Sequence, residues 1–137
     1  MSQYMLLVYE EEVDPAEQAE REKVTPALVE LHASLREAGL LVDVKRLRST
    51  ESATSVRVRD GEMEITDGPF AVTKEVLAGY YVLECADLDE ALRQVARLPM
   101  APWATIEVRP VVSAREWLDT AREAGVDVPD EAVGDLA

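Results

Sequence analysis

Residues 79–112, GYYVLECADLDEALRQVARLPMAPWATIEVRPVV, spell a strand, a helix and a second strand in succession. Residues 79–85 are aromatic, β-branched or aliphatic at most positions, which suits a pleated surface. Asp87 then offers an N-cap with Glu90 three residues on, the pattern of a capping box. Leu88, Ala91, Leu92 and Val95 recur at helical spacing, so the spacing predicts a helix over 87–98 with one apolar stripe. Pro99 stops it. Residues 105–112 read as a strand, and Pro110 inside it predicts an edge position or the strand's end.

Upstream, the same alternation of strand and helix is legible. Residues 4–9, YMLLVY, form a continuous apolar run of strand length. Asp14-Pro15-Ala16-Glu17 is a helix start, with aspartate as cap and proline at the first helical position. Thr25-Pro26 interrupts the helical pattern, which predicts a short first helix and then a main one over 26–38, capped by Thr25 and stopped by Gly39. Val24, Leu28, Leu31, Leu35 and Ala38 make its apolar stripe. Residues 40–47 read as a strand. Residues 53–59 alternate Val56 and Val58 against Ser55, Arg57 and Arg59, then meet Asp60-Gly61, a strong two-residue hairpin turn, and return over 62–66. Asp67-Gly68-Pro69-Phe70 signals a turn. Residues 113–124 form a last helix around Trp117, Leu118 and Ala121, Gly125 ends it, and an acidic tail with a loose tip follows.

Two helices that each separate strands, over a largely antiparallel sheet, describe an α+β ferredoxin-like sandwich with an inserted β-hairpin and an added C-terminal helix. The domain takes residues 1–112, with residues 113–137 as a helix and tail of the same unit. Such a sheet has one face under helices and one open. A homodimer whose sheets pack together is the usual cover.

Residues 66–81, TDGPFAVTKEVLAGYY, closely resemble the signature of the YCII-related, DGPF-motif family, whose pattern there is approximately T-D-G-P-F-A-E-T-K-E-x-L-G-G-Y-Y. The flanks agree: YMLLVY, His32 within ELHASLREAG, SVRVRDG, DLDEA and IEVRPV. The resemblance runs over roughly residues 3–112. Val72 stands where the family usually has glutamate, Ala78 replaces the first of two glycines, and residues 99–104, PMAPWA, bring Trp103 into a loop that carries glycine in relatives. The resemblance implies a dimeric α/β-barrel built on the ferredoxin-like fold. It also implies a histidine–aspartate pair as the catalytic centre, one branch of the wider superfamily eliminating chloride from a chlorinated ring. Other DGPF proteins are encoded beside extracytoplasmic-function sigma factors, which implies a regulatory or accessory role as the alternative.

His32 is the only histidine of the chain and lies at the border of the buried stripe. There an imidazole can act as a general base at the mouth of a cleft, or simply hydrogen-bond a backbone carbonyl. Asp67 is the first candidate to orient it, or else caps the turn before Gly68; Asp43, on the following strand, competes for the same role. Phe70, Tyr80 and Tyr81 read as core or pocket lining, with one tyrosine hydroxyl toward a ligand. Lys74 and Arg109 could each bind an anion or serve as surface charge. Cys85 sits near Glu84 and Asp87, a setting that opposes a thiolate nucleophile.

Composition narrows the classes of partner. Of 137 residues 47% are hydrophobic and 31% charged, an ordinary globular balance that buries roughly two thirds of the unfolded surface. Lys and Arg number 14 against 28 Asp and Glu, for a formal charge of −14, which disfavours nucleic acid and anionic membranes. A lone cysteine and histidine predict neither a disulfide framework nor a metal centre, and no phosphate-cradling loop appears. No stretch approaches the roughly 20 apolar residues of a membrane span, and the N-terminus lacks a basic leader. The expectations are therefore a cytoplasmic homodimer that acts without cofactor on a small molecule, as an isomerase or lyase, or an accessory protein tied to a sigma factor.

Overall fold

The computed structural model describes residues 1–129 and 131. At its centre β1 (Ser2–Glu10) pairs antiparallel with β5 (Val76–Cys85) on one side and β6 (Thr105–Pro110) on the other; β2 (Leu41–Arg46) adds to the far side of β5. The order β2-β5-β1-β6, all neighbours antiparallel, is the ferredoxin-like arrangement. β6 is an edge strand, and Pro110 stands at its last pair, opposite Tyr4, where its missing N–H costs no interior ladder bond.

Strand alternation divides the sheet into two unlike faces. Leu6, Val8, Tyr81, Leu83 and Cys85 turn to one side and pack against Leu31 and Leu35 of α2 (Thr25–Glu37), Ala91 of α3 (Leu88–Val95) and Leu98. Met5, Leu7, Tyr80 and Val82 turn to the other side and are half-buried. Gly79 permits a close approach within the sheet: a Cβ there would come within 2.5 Å of the Lys45 carbonyl oxygen on β2. β5 starts at Val76, three residues before the aromatic run, because Val76 and Leu77 continue the ladder with Glu10 and Tyr9 past a register shift after Val8.

The helix starts are local chemistry. Asp14 accepts from the Glu17 amide at 2.8 Å ahead of α1 (Pro15–Arg21), and Asp87 accepts from the Glu90 amide at 2.9 Å ahead of α3. Ser113 accepts from the Glu116 amide at 3.1 Å ahead of α4 (Ala114–Glu123). Thr25 differs from the expectation. It is the first residue of α2, not its cap, and its hydroxyl donates to the Glu22 carbonyl at 2.6 Å. The 3-10 turn Glu22–Val24 carries helical dihedrals across the junction, so no extended residue is left to cap. α3 likewise ends at Val95 and not at Leu98, passing into turns in which the Leu98 amide donates to the Val95 carbonyl at 3.1 Å.

Between β2 and β5 the chain forms a separate ribbon, β3 (Thr54–Arg59) and β4 (Glu62–Asp67). Asp60 (φ 52°) and Gly61 (φ 77°) both take left-handed backbone at its tip, as a two-residue hairpin of this type requires. Among the described residues, no hydrogen bond or ion pair joins residues 54–67 to the four-stranded sheet or to a helix. At the other end of the chain Leu118 of α4 is buried, while Trp117 beside it is 60% exposed. The loose tip expected for the tail falls on residues 132–137, outside the described residues. Among the described residues no helix is long and apolar enough to cross a membrane.

Candidate functional site

α2 is held on the sheet by Leu31 and Leu35, and this sets the position of His32, which follows Leu31 directly and so lies at the border of the stripe the two leucines define. His32 stays half-buried at the rim of the helix–sheet contact. From the sheet below, Tyr81 rises to meet it. The Nε2 atom of His32 and the hydroxyl of Tyr81 share a hydrogen bond of 2.7 Å, with the donor set by the imidazole tautomer. The rings stand edge to face, centroids 5.4 Å apart and planes at 67°.

The electrostatics keep both partners neutral near pH 7. Burial, then the positive charge of Arg36 one turn along α2, lowers the imidazole below its ordinary 6.5. Burial alone pushes the Tyr81 phenol up to about 12, in keeping with a side chain only 4% exposed. The pair can hold or pass one proton through a short bond between two uncharged groups. Among the described residues no carboxylate bonds to the imidazole to stabilise its charged form, which separates this arrangement from an acid-steered triad.

His32 has a different partner from the one expected. Asp67 ends β4 opposite Thr54, exposed on the ribbon, and its carboxylate makes no hydrogen bond or ion pair among the described residues, to His32 or to the turn that follows. That turn is held instead by the Gly68 amide on the Ala53 carbonyl and by the Ser55 hydroxyl on the Gly68 carbonyl, both at 2.8 Å. Asp43 is excluded by parity. It pairs across the ladder with Val82 and so shares the face of Tyr80, opposite the helices. There the Tyr80 hydroxyl donates to Asp43 Oδ2 at 3.1 Å, Lys45 Nζ lies 3.7 Å from Oδ1, and the bond to Asp43 raises the Tyr80 phenol above its usual value.

The other candidates scatter. Phe70 is no core residue: it is 78% exposed, with the Arg57 guanidinium 5.3 Å from its ring centre. The two, with Ser55, Glu64, Thr66 and Pro69, border an open depression of about 210 Å³ on the ribbon's polar face. Lys74 pairs with Glu11 at 3.1 Å. Arg109 is exposed on β6 opposite Met5, on the open side of the sheet. Cys85 is fully buried, and burial followed by the Glu90 carboxylate raises its thiol, so no thiolate forms readily. Among the described residues no group of three His, Cys, Asp or Glu side chains is gathered for a metal.

Sequence reasoning placed Tyr81 in a core or pocket lining but did not pair it with His32, and it gave Arg36 no role. Tyr81 shares parity with Leu83 and Cys85, which is the signal that turns it toward the helices, and Arg36 follows His32 by four residues on the same side of α2. Trp103 also has a defined place: its Nε1 donates to Glu10 at 3.0 Å, and the Arg21 guanidinium lies 5.6 Å from its ring centre.

An uncharacterized protein of Rhizobium meliloti (strain 1021) is 40% identical over 112 residues, which cover 79% of this chain and 90% of that protein. The YCII-related domain family matches residues 2–117, a span that takes in the whole sheet, the ribbon, His32 and Tyr81. On that match the chain belongs to the YCII-related domain family.

Proposed function

We propose that His32 and Tyr81 form the working centre of a cofactor-independent enzyme that moves a proton on a small molecule, in an isomerase- or elimination-type reaction. The observation that carries the reading is the 2.7 Å bond between a half-buried imidazole and a buried phenol. In this reading Tyr81 takes the role that sequence analysis gave to Asp67. The neutral imidazole is the base: burial keeps it unprotonated at neutral pH, and with Nε2–H donating to the Tyr81 oxygen the lone pair of Nδ1 takes the substrate proton. The phenol remains protonated and fixes the ring. Arg36, which makes no side-chain hydrogen bond or ion pair among the described residues, supplies a positive charge near the imidazole for an anionic group of the substrate.

The test is exchange of acidic C–H protons of short 2-oxo and 3-oxo acids into D2O, followed by NMR. Wild type is expected to accelerate exchange for at least one such acid, His32→Asn to remove the acceleration, and Arg36→Gln to raise KM with less change in kcat. Equal exchange by wild type and His32→Asn sinks the proposal.

The protein works in this reading as a homodimer, with the open sheet face, where Met5, Leu7, Tyr80 and Val82 lie half-buried, against its counterpart in a second copy. A second reading, an accessory protein of an extracytoplasmic-function sigma factor, is supported by Trp117, 60% exposed on α4. Loss of sigma-factor binding in Trp117→Ala, with the dimer intact, is its expected signature.

A further inference from the structure

The β3–β4 ribbon has one balanced face and one that lacks a cover. On the first, Arg57 stands opposite Glu64 and Arg59 opposite Glu62, opposite charges matched across the ladder. On the second, Val56 stands opposite Ile65 and Val58 opposite Met63, and all four are between 53% and 65% exposed. Period-two alternation of this kind belongs to a half-buried strand pair. A two-stranded ribbon alone in water is marginal, and among the described residues no hydrogen bond or ion pair ties it to the four-stranded sheet or to a helix of its own protomer.

We infer that the apolar face of this ribbon lies against a second copy of the chain, clasping it beyond the sheet-on-sheet contact. The inference rests on the dimer proposed above and names the element that completes it. Area argues for it first. The apolar strip of the open sheet face is half-buried already and offers only on the order of 150 Å², against the roughly 800 Å² that each partner of a standard interface buries. The ribbon's four side chains offer on the order of 250 Å² more, and in a two-fold dimer each protomer also receives its partner's ribbon, which brings the total near that standard.

Charge argues for it second. Copies that each carry −14 repel one another wherever their acidic surfaces meet, so they can associate only through uncharged patches. Val56, Val58, Met63 and Ile65 make such a patch. A two-fold pair sets each ribbon against the partner chain, beside the sheet-on-sheet contact, and so closes on itself without any third component.

The test is sedimentation equilibrium of the full chain. Wild type is expected at the mass of two chains. The double variant Val58→Glu/Met63→Glu is expected to weaken association at least 100-fold while its circular dichroism is unchanged. A second measurement uses the burial of Cys85: with the native thiol shielded, Met63→Cys should label with maleimide at least tenfold faster in dilute, dissociated protein than at high concentration. A monomeric wild type overturns both the ribbon contact and the dimer. A double variant that dimerises as tightly as wild type, or concentration-independent labelling, overturns the ribbon contact alone. Leu7→Glu, on the sheet strip, separates the two: a monomeric Leu7→Glu supports the sheet-on-sheet contact whatever the ribbon does, and a Leu7→Glu that dimerises as tightly as wild type overturns it.

Discussion

Tyr80 and Tyr81 are neighbours in the chain and send their hydroxyls to opposite sides of the sheet. Tyr81 meets His32 at 2.7 Å among the helices, and Tyr80 meets Asp43 at 3.1 Å on the open face. One peptide step therefore separates an imidazole–phenol pair from a phenol–carboxylate pair, with the thickness of the sheet between them. An acid on β2 cannot serve a base on α2 across that layer within one protomer.

The only histidine gives a single imidazole signal, so its titration can be followed by NMR without assignment. The midpoint is expected below 6.5 in wild type, and Arg36→Gln should move it upward by removing the second cause of the depression. The sign for stability follows from linkage. The unfolded chain binds this proton more readily than the folded one, so stability is fully present above 6.5 and falls as pH drops through the folded midpoint. His32→Gln should flatten that part of the pH profile. The acid-side loss from Glu12 and Glu22, both held below their ordinary 4.5 by hydrogen bonds, begins only lower and should persist. A wild-type midpoint at or above 6.5 contradicts the site as described.

Tyr81 sets the opposite limit. Its phenol is raised from 10 to about 12, so its contribution is complete below pH 10 and is lost as pH rises through about 12. That corresponds to on the order of 2–3 kcal/mol for a side chain this buried. Absorbance of the phenolate should show one of the four tyrosines titrating last, together with unfolding, and Tyr81→Phe should remove that step. The same variant should cost about 1 kcal/mol at neutral pH through the lost hydrogen bond. Ionisation of all four phenols near pH 10 is the contrary result.

The signals legible in sequence were those that act within a few residues. The Asp60-Gly61 turn, the alternation of Val56 and Val58 with Arg57 and Arg59, and the caps at Asp14 and Asp87 each depend on neighbours at most four positions away. The partner of His32 lies 49 residues along the chain and in another layer. Its identity turns on which tyrosine of GYYVLEC faces the helices, and a strand that is apolar on both faces carries no alternation to decide that. Phe70 misled for a related reason. A large ring usually marks a core, but this one stands in the turn after β4, exposed beside the ribbon's Arg57.

The capping chemistry separates two residues that look alike in sequence. Asp87→Ala removes the acceptor for the Glu90 amide and should cost about 1 kcal/mol. Thr25→Ala removes no cap, since the hydroxyl only returns a bond to the Glu22 carbonyl, and should cost a few tenths of that. Urea denaturation compares the two directly, and an equal cost for both would restore Thr25 as a cap.

Gly79 should be the least replaceable residue of the sheet for its size. Its backbone dihedrals suit any residue, so the restriction is space: an added Cβ meets the Lys45 carbonyl oxygen at 2.5 Å and the Arg46 Cα at 3.3 Å. Both are backbone atoms of β2, and neither can move aside without parting the β2–β5 ladder. That ladder carries Tyr81 opposite Val44, so the strain reaches the phenol beneath His32. Gly79→Ala is expected to lower stability by roughly 1–3 kcal/mol, the usual cost of forced overpacking, and to shift the His32 imidazole signal. Gly39, where a Cβ would meet nothing within 4 Å but the backbone is left-handed at φ 74°, provides the contrast. Gly39→Ala should cost stability through the backbone alone and leave the His32 signal in place.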